Sequence, residues 1–571
     1  MRATRRARAR WVAVIAATSL VIAACGGDDD DDVATTDAAA TAPAPATTGD
    51  EGAEPAPTAP TATDAAEPAA TTGSTAGEGE AGEGDPVAGG EATYLFQSEL
   101  GTNFDPTKLI SVSASIATGT VGYLLYGMLV ATNPETREVE PHMLESLEGS
   151  DDGTVWTLHL RPDITFSDGT PFDAEAIKIN WERHADPENA SAARGVVAGM
   201  ESIEVIDPLT LEVTLAEPNQ QFPRTLGQYS ITFIAAPSAI EAGNLAEQPI
   251  GAGPFLLEEW VRDDHMTFVK NPTYWDAPRP YLDTLTIRPI IDPTQRINAA
   301  ISGQGEVAFA YAGEIQSAVD EGFEANAITM NGGQAVLFNF GSPLGGDVRF
   351  RRALRLAIDN AQVAEVVDRG QQVDDGSTYF TPSSPFYDAG LPHPAPDLAA
   401  AQALIDEIVA ETGGPIEFAI STAPPSQPVA DIVQAQLSQL DNVNVTVEVL
   451  AVGPFTEAVV VQKNFTVAMW NTFNLDPEPR AHDFFLTGSP RNYTNGYSNP
   501  EMDAVLKEGR TATDLEGRTA AYEEMQRILN EDVPVLTVKR ADHFIVSNPE
   551  SIHGLTFVED GITRWDHVWV D

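Results

Sequence analysis

Hydrophobic and polar positions alternate strictly in the stretch TVWTLHLRPDITFSDGTPF, residues 154–172. Trp156, Leu158 and Leu160 fall on one face and Val155, Thr157 and His159 on the other, a period of two that predicts a strand pair. Asp168-Gly169 supplies its turn. The period then changes: Ala174, Ile177, Trp181 and His184 share one face of a helix, with Asp173 placed to cap its first turn. Further strands are predicted over 91–100, 209–218 and 533–540. Helical spacing returns in 347–367, through Phe350, Ala353, Leu354, Ala357 and Ile358, and again in EMDAVLKEG and RTAAYEEMQRILNED near the end. Strands and helices alternate without a strict βαβ order and without a 20–50-residue repeat, which predicts an α/β protein with mixed sheets in more than one lobe.

The first 92 residues follow neither pattern. Residues 1–10 carry five arginines, and WVAVIAATSLVIAA (11–24) is apolar but shorter than the ~20 residues a membrane-spanning helix needs. A cationic start, a short apolar run and small residues at its end describe a secretory signal. Ile22-Ala23-Ala24-Cys25 resembles a bacterial lipobox, which implies that Cys25, the chain's single cysteine, is acylated and becomes the new amino terminus. Residues 26–92 hold sixteen Asp and Glu and no Lys or Arg, among Ala, Thr, Pro and Gly. Such a segment has too little apolar surface to fold and reads as an extended, disordered tether.

Composition narrows the function classes. A net charge of −53 argues against a nucleic-acid partner. One cysteine excludes an intrachain disulfide and a thiolate metal cluster, and nine scattered histidines form no metal motif. Neither HExxH, GxSxG nor a phosphate-binding glycine loop occurs. No enzyme, cofactor or metal site is expected.

Beyond residue 93 a series of blocks carries a family likeness. These are NFDP (103–106), the long stretch from Tyr123 to His184, PIGAGPFLLEEW (249–260), KNPTYWD (270–276), FNFGSPLGGDVRFRRALRLAID (338–359), YTNGYSNPEMDAVL (493–506) and YEEMQRIL (522–529). In this order and spacing they resemble the extracytoplasmic solute-binding proteins of family 5, the dipeptide and oligopeptide receptors of ABC importers. The resemblance implies a two-lobed periplasmic-binding-protein-like clamp (type II, cluster C) with an extra subdomain in the first lobe. It divides the chain into lobe I (93–125 with 218–328 and 541–571), the subdomain (126–217) and lobe II (329–540). It also implies a monomer, anchored by lipid outside the cytoplasmic membrane or in the periplasm, that passes a small-molecule solute to the permease subunits of an ABC importer.

Most block residues read as structural: the Asp168–Pro171 turn, the bend at Gly251, Gly253 and Pro254, and Arg349 and Arg351, expected to pair with local carboxylates. The ligand candidates cluster in VAMWNTFNLDPEP (467–479), where a strand runs into Trp470, Asn471, Phe473 and Asn474. In the family a cleft tryptophan lies here, and peptide binders place an aspartate three residues later for the peptide's α-ammonium. Phe473 stands at that position, so the amine clamp is absent and the nearest carboxylate is Asp476. Ser111, Ser113, Tyr311 and Asn339 are further ligand candidates by analogy. The leading expectation is capture of a peptide-like solute; the alternatives are an oligosaccharide or other neutral polar solute, or a ligand sensor without transport.

Overall fold

The alternating stretch at 154 folds as one strand, Val155–Leu160, whose Trp156, Leu158 and Leu160 are buried. The second half of the expected pair is not a strand. Pro171 has no N–H to give a ladder, and the segment keeps one bridge, Thr165 to Pro171, around a tight turn with Gly169 at φ +84°. The computed structural model describes residues 85–571 except 99–102, 110–115, 134–135, 373, 392–393, 490–491 and 559–560. Cys25, Ser111, Ser113 and the acidic tether up to residue 84 therefore lie outside the described residues, and the tether ends earlier than expected: Glu91 and Ala92 open the strand Glu91–Phe96, with Ala92 buried.

Val155–Leu160 sits in a four-stranded antiparallel sheet between Leu144–Gly149 and Thr210–Leu215, with Met200–Asp207 at its far edge. The helix Ala174–Ala185 covers it, capped by Asp173 Oδ1, which accepts from the Ala176 N–H at 2.9 Å. Its Trp181 is buried and donates to the Ile231 carbonyl at 2.8 Å. Nearby, Gly251 and Gly253 let the chain pass against the Leu124–Tyr126 backbone, where a Cβ on Gly253 would lie 2.4 Å from the Leu124 carbonyl oxygen.

A ten-stranded sheet runs through the rest of the molecule. Its order is Val443–Val449, Ile416–Thr422, Val467–Asn471, Glu324–Phe338, Val535–Ser547, Val307–Tyr311, Glu91–Phe96, Thr284–Pro289, His265–Lys270 and Phe255–Val261. Two long antiparallel strands, Glu324–Phe338 and Val535–Ser547, form its spine. Their ladder is broken between Thr329 and Gly333. The break is filled rather than hollow. Asn331 exchanges backbone hydrogen bonds with Asn474 at 2.9 and 3.1 Å, and the buried Arg540 donates to the Gly332 carbonyl at 2.7 Å while pairing with Asp374 at 2.9 Å. Lys539 beside it pairs with Asp368 at 2.9 Å.

The 347–367 pattern forms two helices, Val348–Ala357 and Asn360–Asp368, because Asp359 leaves helical geometry and caps the second. Arg349 pairs with Asp347 and Glu411 at 2.7 and 2.6 Å. Arg351 departs from expectation. It lies 4.2 Å from the Phe340 ring and donates to the carbonyls of Asp532 and Gly345, and burial lowers its pKa to about 10.

Candidate functional site

The strand Val467–Asn471 leaves the core as it ends: Val467, Ala468 and Met469 are buried, Trp470 is half-buried and Asn471 is exposed. Cross-strand pairing of Ala335 with Trp470 and of Gln334 with Asn471 fixes its register. Its exit opens on a cavity of about 1230 Å³ lined by Trp470, Asn471 and Phe473. Most of 191–199 (not Ala193 or Val197), with Leu215–Asn219, Phe222, Thr225 and Tyr229, contributes a second part of the lining. This volume exceeds the ~300–1,000 Å³ typical of small-ligand pockets.

One wall is aromatic. Phe455 lies 5.7 Å from Trp470 and Trp470 5.2 Å from Tyr493, measured between ring centroids, while the fully buried Phe484 backs Tyr493 from behind at 5.0 Å. These spacings suit stacking or edge contact with a planar or apolar ligand segment. Phe473 has two roles, lining the cavity and packing on the core, with its ring 5.3 Å from that of the buried His543.

The remaining candidates lie elsewhere. Asn474 is buried, its amide donating to the Tyr379 hydroxyl and the Thr472 carbonyl, both at 3.0 Å. Asn339 is also buried and donates to the carbonyls of Lys463 and Phe465 at 2.9 and 2.6 Å while accepting from the Gly341 N–H. Both hold loops behind the wall. Tyr311 stands 5.9 Å from His543 and donates its hydroxyl to Gln97; burial pushes that hydroxyl's pKa up to about 12. None of these three lines the cavity.

The acidic turn after the tryptophan is a buried ion network. Asp476 accepts from Arg518 at 2.5 Å and lies 3.3 Å from Arg224. Glu478, fully buried, pairs with Arg510 at 2.5 Å and His482 at 3.2 Å. Burial alone would raise both carboxyl pKa values; the two arginines instead hold Asp476 below its ordinary value, and Arg510 with His482 brings Glu478 down to about 2. Neither carboxylate is spare to receive a ligand ammonium. Among the described residues no cluster of three or more His, Cys, Asp or Glu converges as a metal site.

Residues 138–492, more than half of the chain, match the model of the bacterial extracellular solute-binding proteins, family 5. The chain belongs to this family. It is a solute-binding protein of the ABC-transporter type, built as a two-lobed α/β clamp. Similar curated family 5 relatives include the glutathione-binding protein GsiB of Salmonella paratyphi A, 27% identical over 422 residues, covering 70% of this chain and 80% of that protein. GsiB of Pectobacterium atrosepticum is 26% identical over 449 residues, covering 74% and 84%. Among solved structures, DppA of Helicobacter pylori in complex with the peptide STSA superposes with a TM-score of 0.72 at 21% identity, over 85% of this chain and 98% of that one. The oligopeptide-binding protein AppA of Bacillus subtilis, in complex with a nonapeptide, gives 0.73 at 19% identity, over 85% and 100%. Among the described residues no helix is long and apolar enough to cross a membrane.

The cavity residues that sequence reasoning missed include Phe455, Lys463, Arg480 and Tyr493, together with the 191–229 part of the lining. Arg480 lies only ten positions after Trp470, but nothing in its spacing tells a cavity arginine from one of the network.

Proposed function

We propose that the chain captures a short peptide or peptide-like solute in this cavity and hands it to an ABC permease. It does so as a monomer acylated at Cys25 and held off the membrane by the acidic segment that precedes the strand Glu91–Phe96. The observation that carries the reading is the half-buried Trp470 at the strand exit, one ring of an aromatic wall in a cavity with room for several residues of ligand. The name of the curated relatives, glutathione-binding, supports a short peptide over a sugar. The broken ladder at Thr329–Gly333 supports a boundary between lobe I and lobe II near residue 329. Closure of the lobes would then favour whichever state makes more ligand contacts.

Mass spectrometry of the solute that co-purifies with the full chain tests this reading, together with calorimetry against glutathione, di- to pentapeptides and neutral oligosaccharides. A peptide ligand is the expected result; heat from an oligosaccharide and from no peptide would reject it. Trp470→Ala should weaken the ligand by roughly 30-fold or more, the loss expected when a central aromatic anchor is truncated. Thermal stability should change little, because Trp470 is only half-buried. For the anchor, Cys25→Ser should move the protein from the membrane fraction to the medium or the soluble periplasmic fraction; unchanged membrane retention would refute acylation as the anchor.

A further inference from the structure

Arg480 differs from every other arginine around the acidic turn. Arg224, Arg510 and Arg518 each meet Asp476 or Glu478. Arg480 lines the cavity at 5% exposure, yet no hydrogen bond or ion pair joins it to another described residue, and its Nε is buried without a partner. The Phe484 ring lies 5.3 Å from its guanidinium carbon. Lys463 repeats the arrangement on the same wall. It sits 5.5 Å from the Tyr493 ring, donates to the Asn492 carbonyl at 3.2 Å, and has no carboxylate partner among the described residues. The carboxylates lining the cavity are Glu217, exposed, and Asp483, which accepts the Tyr229 hydroxyl at 2.7 Å.

A desolvated, unpaired guanidinium is costly, and in a chain of net charge −53 acidic partners are abundant. Its persistence on a ligand wall calls for an anion that arrives with the ligand. We propose that Arg480 is the receptor for a carboxylate of the solute, which lies along Tyr493, Trp470 and Phe455 with Lys463 adding long-range attraction. The solute class is therefore an acid: a peptide held by its carboxy terminus or an acidic side chain, with its ammonium left outside the Asp476–Glu478 network. Arg favours this role over Lys because its planar fork matches a carboxylate bidentately. The inference rests on the reading of this cavity as the solute site.

The experiment is calorimetry on the full chain with matched probes: di- to pentapeptides as free acids and as carboxy-terminal amides, and uronic-acid oligosaccharides beside their neutral counterparts. In the wild type the preferred acid should bind roughly 30-fold or more tightly than its neutral form. Arg480→Met should bring the acid down to the affinity of the neutral form, with Arg480→Lys in between. The ligand-free Arg480→Met protein should melt at or above the wild-type temperature, since a buried unpaired charge has been removed. The wild-type comparison stands whether or not the variants fold. Peptide acids and amides binding alike would overturn the anion site and leave the peptide reading intact. Uronic acids binding where no peptide does, with the preference lost in Arg480→Met, would overturn the peptide reading and support the anion site. If no acid of either class binds more tightly than its neutral partner, the anion site is wrong.

Discussion

Asp476→Ala should destabilise the protein by about 3–5 kcal/mol, the usual cost of breaking a buried ion pair from one side. The substitution leaves Arg518, 5% exposed, without the carboxylate 2.5 Å away, and strips Arg224 of its partner at 3.3 Å. It also removes the acceptor of the Glu478 N–H, loosening the turn that carries the second carboxylate. The melting temperature should fall by roughly 3–10 °C, given how weakly one kcal/mol moves it in a large domain. Asp476→Leu combined with Arg518→Met should recover part of that loss, because the unpaired Arg518 charge is gone while Arg224 and the Glu478 N–H still lack their partner. Denaturant melts of the wild type, each single variant and the pair test this; an Asp476→Ala protein within 1 kcal/mol of wild type would refute it. Arg224 belongs to the helix Phe222–Gln228, whose Phe222 and Thr225 line the cavity, so the same variant should also weaken ligand.

The second large effect is on pH dependence. His142, His184 and His543 are buried, and burial depresses their pKa values to about 4, 4 and 3. In the unfolded chain each titrates near 6.5. Between pH 6.5 and about 4 the unfolded state therefore binds more protons than the folded one, and stability falls as pH falls; above 6.5 both states are neutral and the contribution is constant. Each histidine contributes a slope of at most about 1.4 kcal/mol per pH unit, so the three together give up to about 4. Glu478 has a folded pKa of about 2, so its stabilisation is present above the unfolded value near 4.5 and is lost as pH falls from there to 2. Denaturant midpoints at pH 8, 7, 6, 5 and 4 should stay level and then drop. His543→Gln should flatten the slope below 6.5 whatever its cost at pH 8. A midpoint unchanged from pH 7 to 5 would contradict the assignment.

The local patterns were legible in the sequence wherever one short segment decides the outcome. The alternation around Trp156, the cap at Asp173 and the helix face through Trp181 depend on neighbours along the chain, and so does the strand that delivers Trp470. Legibility ended where distant segments meet. Phe455 and Tyr493 form a wall with Trp470 only because Glu324–Phe338 and Val535–Ser547 put the second half of the sheet in its particular order. Asn474 and Asn339 have the composition of ligand groups and spend it on loop carbonyls. Arg480 and Arg518 are chemically identical, and only their surroundings make one a free cation and the other half of an ion pair.

The strand Val535–Ser547 has a consequence for timing. It pairs with Val307–Tyr311 and with both segments of Glu324–Phe338, so the middle of the large sheet has a gap until it arrives. In sequence it lies about 200 residues beyond both of those partners. Contacts so far apart in sequence form slowly, because a long loop must close before any pairing offsets its entropy. A chain wired this way cannot close its large sheet until residues 535–547 have paired. For a protein whose family works outside the cytoplasm, slow closure of the sheet favours passage of the polypeptide before it has folded.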